Sequence, residues 1–152
     1  MTKHLTTVWL FLALLCGVAS AAPPAARPAV GLTVDAQFVR ARDGDTIEVQ
    51  AKGSAFKFAI RLINVWAPEL DSKDAHLKSV AADGRDFITA RCKGGDHLTV
   101  FVPFKNTEYP LKALTFDRVP AWVYVGEDNV TLNEQIVNEG FASRTKGGNL
   151  GE

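Results

Sequence analysis

Cysteine is scarce in this chain: two in 152 residues, Cys16 and Cys92. No C-x-x-C pair occurs, so a zinc ribbon or a disulfide-stapled scaffold is excluded. A dominant charge is lacking too, with 17 Lys+Arg against 17 Asp+Glu. Any affinity for nucleic acid must therefore come from a local patch or a metal, because the global field is near zero. No internal repeat, heptad or collagen period runs through the sequence, and no G-x-S-x-G nucleophile elbow occurs. The longest apolar run, Val8 to Leu15, is about half the length needed to cross a bilayer.

What is present divides into a leader and a domain. Lys3 and His4 precede the apolar run, and Ala19-Ser20-Ala21 fits the small-residue cleavage rule. Residues 1–21 are expected to be a secretory signal, with an uncleaved anchor as the alternative, and the destination is the periplasm or the medium. Its removal takes Lys3 and Cys16 and leaves 16 basic against 17 acidic residues, a net charge of −1. No stable membrane insertion is expected after cleavage. Residues 22–31, rich in Pro and Ala, read as an extended tether.

The rest is ordinary globular composition, 47% hydrophobic and 22% charged. Period-2 alternation predicts strands over 32–38, 47–51 and 56–62, separated by Asp43-Gly44 and Lys52-Gly53-Ser54 turns. A helix is expected over 73–92, with Leu77, Val80, Ala81, Ile88 and Arg91 at helical spacing and Gly84 weakening its middle. Strands follow over 97–104 and 121–125, around a polar loop at 105–112. Thr131-Leu132-Asn133-Glu134 is a capping box opening a second helix that ends at Gly140. The order β-β-β-α-β-β-α predicts a mainly β (α+β) domain over 32–145, a five-stranded OB-fold barrel with a helix between strands 3 and 4 and another near the C-terminus. Residues 146–152 are expected to form a flexible tail.

Several residues invite chemistry. Alternation turns Asp45 toward the core face, where an unpaired carboxylate is costly; the plainer alternative is a hairpin turn. Arg61 interrupts an apolar strand, either as a site residue or on a solvent face. Glu69 follows Pro68 in a rigid loop, and Arg118 precedes Pro120 and the last strand. His76 reads as a solvated helix residue. Cys92 reads as a buried small hydrophobe, with a reactive thiol as the alternative. Asn129-Val130-Thr131 is a glycosylation sequon that matters only in a eukaryotic secretory pathway.

Taken together, Asp43-Gly44-Asp45-Thr46, Arg61-Leu62-Ile63-Asn64-Val65-Trp66-Ala67-Pro68-Glu69, Asp117-Arg118 and LNEQIVNEGFA resemble the thermonuclease (staphylococcal nuclease-like) family, from about Val34 to Ala142. The resemblance implies calcium-dependent hydrolysis of DNA and RNA phosphodiesters; the chain is expected to be a monomer. It implies that Asp45 and the Ala67 carbonyl ligate Ca²⁺, that Glu69 activates water, and that Arg61 and Arg118 grip the phosphate. Single strands would be favoured.

The chain departs from the family pattern where a second calcium carboxylate is expected, because that position is Trp66. Asp71 is the nearest candidate substitute. Phe116-Asp117 replaces a Tyr-Gly, and Asp117 is placed to pair with Arg118. No third helix is expected beyond Gly140. The expected function is a nuclease of altered metal dependence. The alternatives are a weak or inactive nuclease-like domain binding nucleic acid or a protein, and an unrelated OB-type module.

Overall fold

The computed structural model describes residues 30–93, 97–104 and 118–152. The expected leader, most of the tether, the 105–112 loop and Phe116-Asp117 lie outside the described residues. Five strands appear in chain order: β1 (Gly31–Ala41), β2 (Thr46–Ala51), β3 (Lys57–Leu62), β4 (Leu98–Pro103) and β5 (Arg118–Val125). Helix α1 (Ala75–Lys93) lies between β3 and β4, and α2 (Leu132–Asn138) follows β5. The sheet closes on itself in the order β1-β2-β3-β5-β4, as expected for an OB-like fold. Among the described residues, no helix is long and apolar enough to cross a membrane.

Closure depends on β1, whose 11 residues pair with β2 at one end and β4 at the other. A register shift between Phe38 and Arg40 bends the strand so that one segment serves two neighbours. β3 and β5 are the parallel pair, and every other pairing is antiparallel. A parallel pair needs a long crossover, which α1 and β4 supply. Ile47, Val49, Ile60, Leu62, Val100, Val123 and Ile136 lie at the centre of the core, all essentially buried.

β5 begins three residues earlier than expected, and Pro120 lies inside it. The pairing explains why this is tolerated. Residues 118–121 pair with β3 and residues 122–125 with β4, so Pro120 sits where the strand has one neighbour. In α1 the buried face is Ala81, Gly84, Ile88 and Cys92. Leu77 is an exposed large hydrophobe instead. Arg91 pairs with Asp128 and donates to Gln135 Oε1 at 2.9 Å, tying α1 to α2. Gly84 is there for close approach, since a Cβ would stand 3.0 Å from Phe141 Cβ.

Thr131 caps α2 as the sequence predicts, accepting from the Glu134 N–H at 3.1 Å. The same hydroxyl donates to Glu134 Oε2 at 3.2 Å. Inside α2, Asn133 is 2% exposed and holds three backbone groups. Its Oδ1 accepts from Val123 N–H at 3.0 Å, while its Nδ2 donates to Ile63 O at 3.0 Å and Ala121 O at 3.1 Å. One buried amide thus joins α2, β5 and the chain leaving β3.

The expected flexible tail is instead tied to the body. Gly151 N–H donates to Ala142 O at 2.9 Å, and Arg144 N–H to Glu152 O at 2.7 Å. Backbone hydrogen bonds hold this segment, so the missing apolar stripe gave no sign of it.

Candidate phosphate site

Thr46, Arg61 and Arg118 come from three adjacent strands. Thr46 is level with Arg61 across β2–β3, and Arg118 is level with Ala59 across β3–β5. Ala59 and Arg61 share one face of β3, so alternation sets Arg61 opposite the core residues Ile60 and Leu62. The Asp43-Gly44-Asp45 turn lies under Ala67, and a Cβ on Gly44 would meet Ala67 Cβ at 2.6 Å. Glycine is therefore required there for the turn to reach the loop that follows β3.

That loop is shaped by Asn64, whose φ of 55° is left-handed, a conformation asparagine tolerates. The turn brings Val65 O back to Arg61 Nη1 at 2.8 Å. Trp66 then forms an antiparallel bridge with Ser143, its N–H donating at 2.9 Å and its carbonyl accepting at 3.1 Å.

Asp45, Arg61, Trp66, Ala67, Glu69 and Arg118 all line one cavity of about 540 Å³. All five residues expected at the site are thus brought together. Asp71 is exposed and does not line it. The 146–150 segment supplies a wall through Lys146, Gly147, Gly148 and Leu150, which the sequence did not announce. Asp43, Asp45 and Glu69 share the lining with Arg61, Arg118 and Lys146, so formal charge is balanced there. A phosphate would be held by directed donors rather than by net potential.

Arg61 is heavily committed. Its Nη2 pairs with Asp45 Oδ2 at 2.9 Å and its Nη1 reaches Asp45 O at 3.2 Å as well as Val65 O. Its guanidinium also lies 5.1 Å from the Trp66 ring centroid, a cation–π distance. The Arg61 side chain is 23% exposed, so neither a fully solvated nor a fully sequestered arginine describes it. Arg118 Nη1 donates to Thr46 Oγ1 at 3.2 Å, which occupies one of its five N–H donors.

Asp45 is 13% exposed at its side chain, in keeping with the inward-facing expectation. Burial pushes its carboxyl up to about 6, against the opposing pull of Arg61 and with Asp43 adding to the rise. Both carboxylate oxygens are engaged: Oδ1 accepts from the Thr46 hydroxyl at 3.0 Å, and Oδ2 from the Ala67 N–H at 3.3 Å as well as from Arg61.

This donor set does not fit the calcium ion that the resemblance implies. Calcium takes six to eight oxygens. Here Trp66 offers no side-chain oxygen, and both Asp45 carboxylate oxygens are already engaged, one of them by a guanidinium. Among the described residues, no group of three or more His, Cys, Asp or Glu side chains is arranged to hold a metal.

Outside the cavity the expectations for single residues are met. His76 is exposed on α1, Asn129 lies in an exposed bend, and Cys92 is buried. No family model matches this chain, and no curated protein matches it.

Proposed function

We propose that this cavity binds a phosphodiester of single-stranded DNA or RNA and hydrolyses it, as a nuclease whose chemistry does not run through calcium. The observation that supports the reading is the convergence of Arg61, Glu69 and Arg118 on one cavity beside Asp45. Arg61 and Glu69 come from β3 and the loop that follows it, and Arg118 from β5, which the parallel β3–β5 register brings alongside.

The roles follow from exposure and connection. Arg118 has donor capacity beyond Thr46 and grips the equatorial phosphate oxygens, where negative charge grows as water attacks. Glu69 sits exposed at the rim and takes the proton from the attacking water. A new P–O bond forms from that water, one ester P–O bond breaks, and the departing sugar oxygen takes a proton from solvent. Arg61 holds Asp45 and the loop from β3 in place, and contributes its positive charge from there.

A second reading, binding without cleavage, is favoured by one specific observation. Arg61 spends Nη1 and Nη2 on Asp45 and Val65, which leaves it fewer donors for a phosphate.

The test is digestion of single-stranded DNA by the purified protein, with and without chelator. Cleavage that persists in chelator and falls about 10²- to 10⁴-fold in Glu69→Gln, with affinity retained, supports the hydrolase. Tight binding without cleavage supports the second reading. Loss of neither binding nor cleavage in Arg118→Ala removes the phosphate assignment.

A further inference from the structure

The proposed phosphate grip accounts for Arg118 and Glu69 but not for Trp66. A tryptophan is 41% exposed at the edge of a cavity, in a chain with only three tryptophans. Exposed indoles cost solvation, and this one is not loosely placed. Its backbone is clamped in register to Ser143 through both its N–H and its carbonyl. One ring face is covered by the Arg61 guanidinium, itself fixed by Asp45 and Val65. The apolar side chains of Pro68 and Leu77 line the same cavity, and Leu77 is likewise exposed.

We infer that Trp66 is a nucleobase-stacking platform: the indole, backed by Arg61 and held by the Ser143 bridge, seats one unpaired base while Arg118 and Lys146 hold the adjoining sugar-phosphate. The inference rests on the phosphodiester reading and adds a base subsite to it. A base face is available for stacking only where the base is not already stacked in a duplex, so the seat selects single strands and frayed ends. The pairing of a part-exposed aromatic ring with cations of the same lining matches the two-part chemistry of a nucleotide, a flat apolar ring beside an anion. It is also preorganised. The Trp66 backbone is fixed by the Ser143 bridge, and the indole is backed by a cation that Asp45 and Val65 hold, so the seat loses little freedom when a base arrives.

Any of the four bases serves, since each presents a π-face. The seat therefore adds affinity without sequence preference.

Binding of a phosphorothioate-linked oligothymidylate, which resists cleavage, is measured at fixed ionic strength alongside an abasic strand of the same length and charge. The full chain is expected to bind the thymidylate with quenching of tryptophan emission, and to bind the abasic strand more weakly. Trp66→Ala is expected to weaken thymidylate binding by about 5- to 150-fold, to leave abasic binding unchanged, and to abolish the quenching. Trp66→Phe retains a ring and is expected to recover most of the affinity, which a merely disturbed fold would not allow. Arg118→Ala is expected to weaken both strands alike.

Trp66→Ala binding thymidylate as tightly as the wild type, or losing both strands equally, overturns the stacking platform. If Arg118→Ala still loses both strands in that case, the phosphate reading stands alone. A wild-type chain that binds neither strand overturns both.

Discussion

Asn133→Ala is the sharpest probe of how the site is held. Asn133 is 2% exposed and meets three backbone groups. Truncation strands the Val123 N–H inside the core, which costs about 1–3 kcal/mol for a buried unsatisfied donor. Ile63 O also loses its amide donor, but it is half-buried and its share is smaller, about 1 kcal/mol. Ala121 O keeps the Ile63 N–H at 3.1 Å and adds little. The sum is about 2–4 kcal/mol, a large part of a typical domain's roughly 5–15 kcal/mol.

At about 4 °C per kcal/mol for a domain of this size, the melting temperature should fall by roughly 8–16 °C. Denaturant titration followed by far-UV circular dichroism should show a lower midpoint with an unchanged slope. Amide exchange should accelerate at Val123. Asn133→Asp discriminates further: its carboxylate can still accept from Val123 but would face two carbonyls, so it should be worse than alanine. A loss below about 0.5 kcal/mol, the range of ordinary surface changes, would refute the reasoning. So would an Asp variant more stable than the Ala variant.

Two further outcomes concern titrating groups. The folded state holds the Asp45 proton more tightly than the unfolded chain does, up to about 6 against 3.8. Its contribution to stability is therefore full below about pH 4 and lost as pH rises through about 6. Asp45→Asn should gain on the wild type between about pH 4 and 7, by at most about 3 kcal/mol in urea titrations at each pH, and parallel profiles would refute this. The Cys92 thiol is 1% exposed and pushed up to about 12 by burial. Iodoacetamide at pH 8 should leave Cys92 unmodified in the native protein and alkylate it in guanidinium, with mass spectrometry locating the label. Native-state labelling at Cys92 would contradict its burial.

The strands were legible because their alternation is clean and their turns carry glycine. The cap of α2 was legible because Thr131 and Glu134 stand at the right spacing. The site residues were legible as types, and their meeting is set by register: Thr46 lies opposite Arg61, and Arg118 starts the strand that runs beside it. The orientation of Arg61 was not legible. It depends on a left-handed Asn64 that returns a carbonyl to it, which no periodicity encodes. The wall at 146–150 was hidden for a related reason. It is built from main-chain hydrogen bonds in a segment of glycine and polar residues, where hydrophobic patterning is silent. Leu77 shares the stripe of Ala81, Gly84 and Ile88 but stays exposed in the first turn of α1, where it lines the cavity.

The parallel β3–β5 pair has a consequence for how the protein acquires its chemistry. Arg61 and Glu69 are synthesised well before Arg118, which enters beside Ala59 only after α1 and β4 have been made. Contacts between such distant segments close late. A nascent chain therefore carries Glu69 and Arg61 while Arg118 is still missing. On the proposed reading it is inert toward RNA at the ribosome until the fifth strand docks.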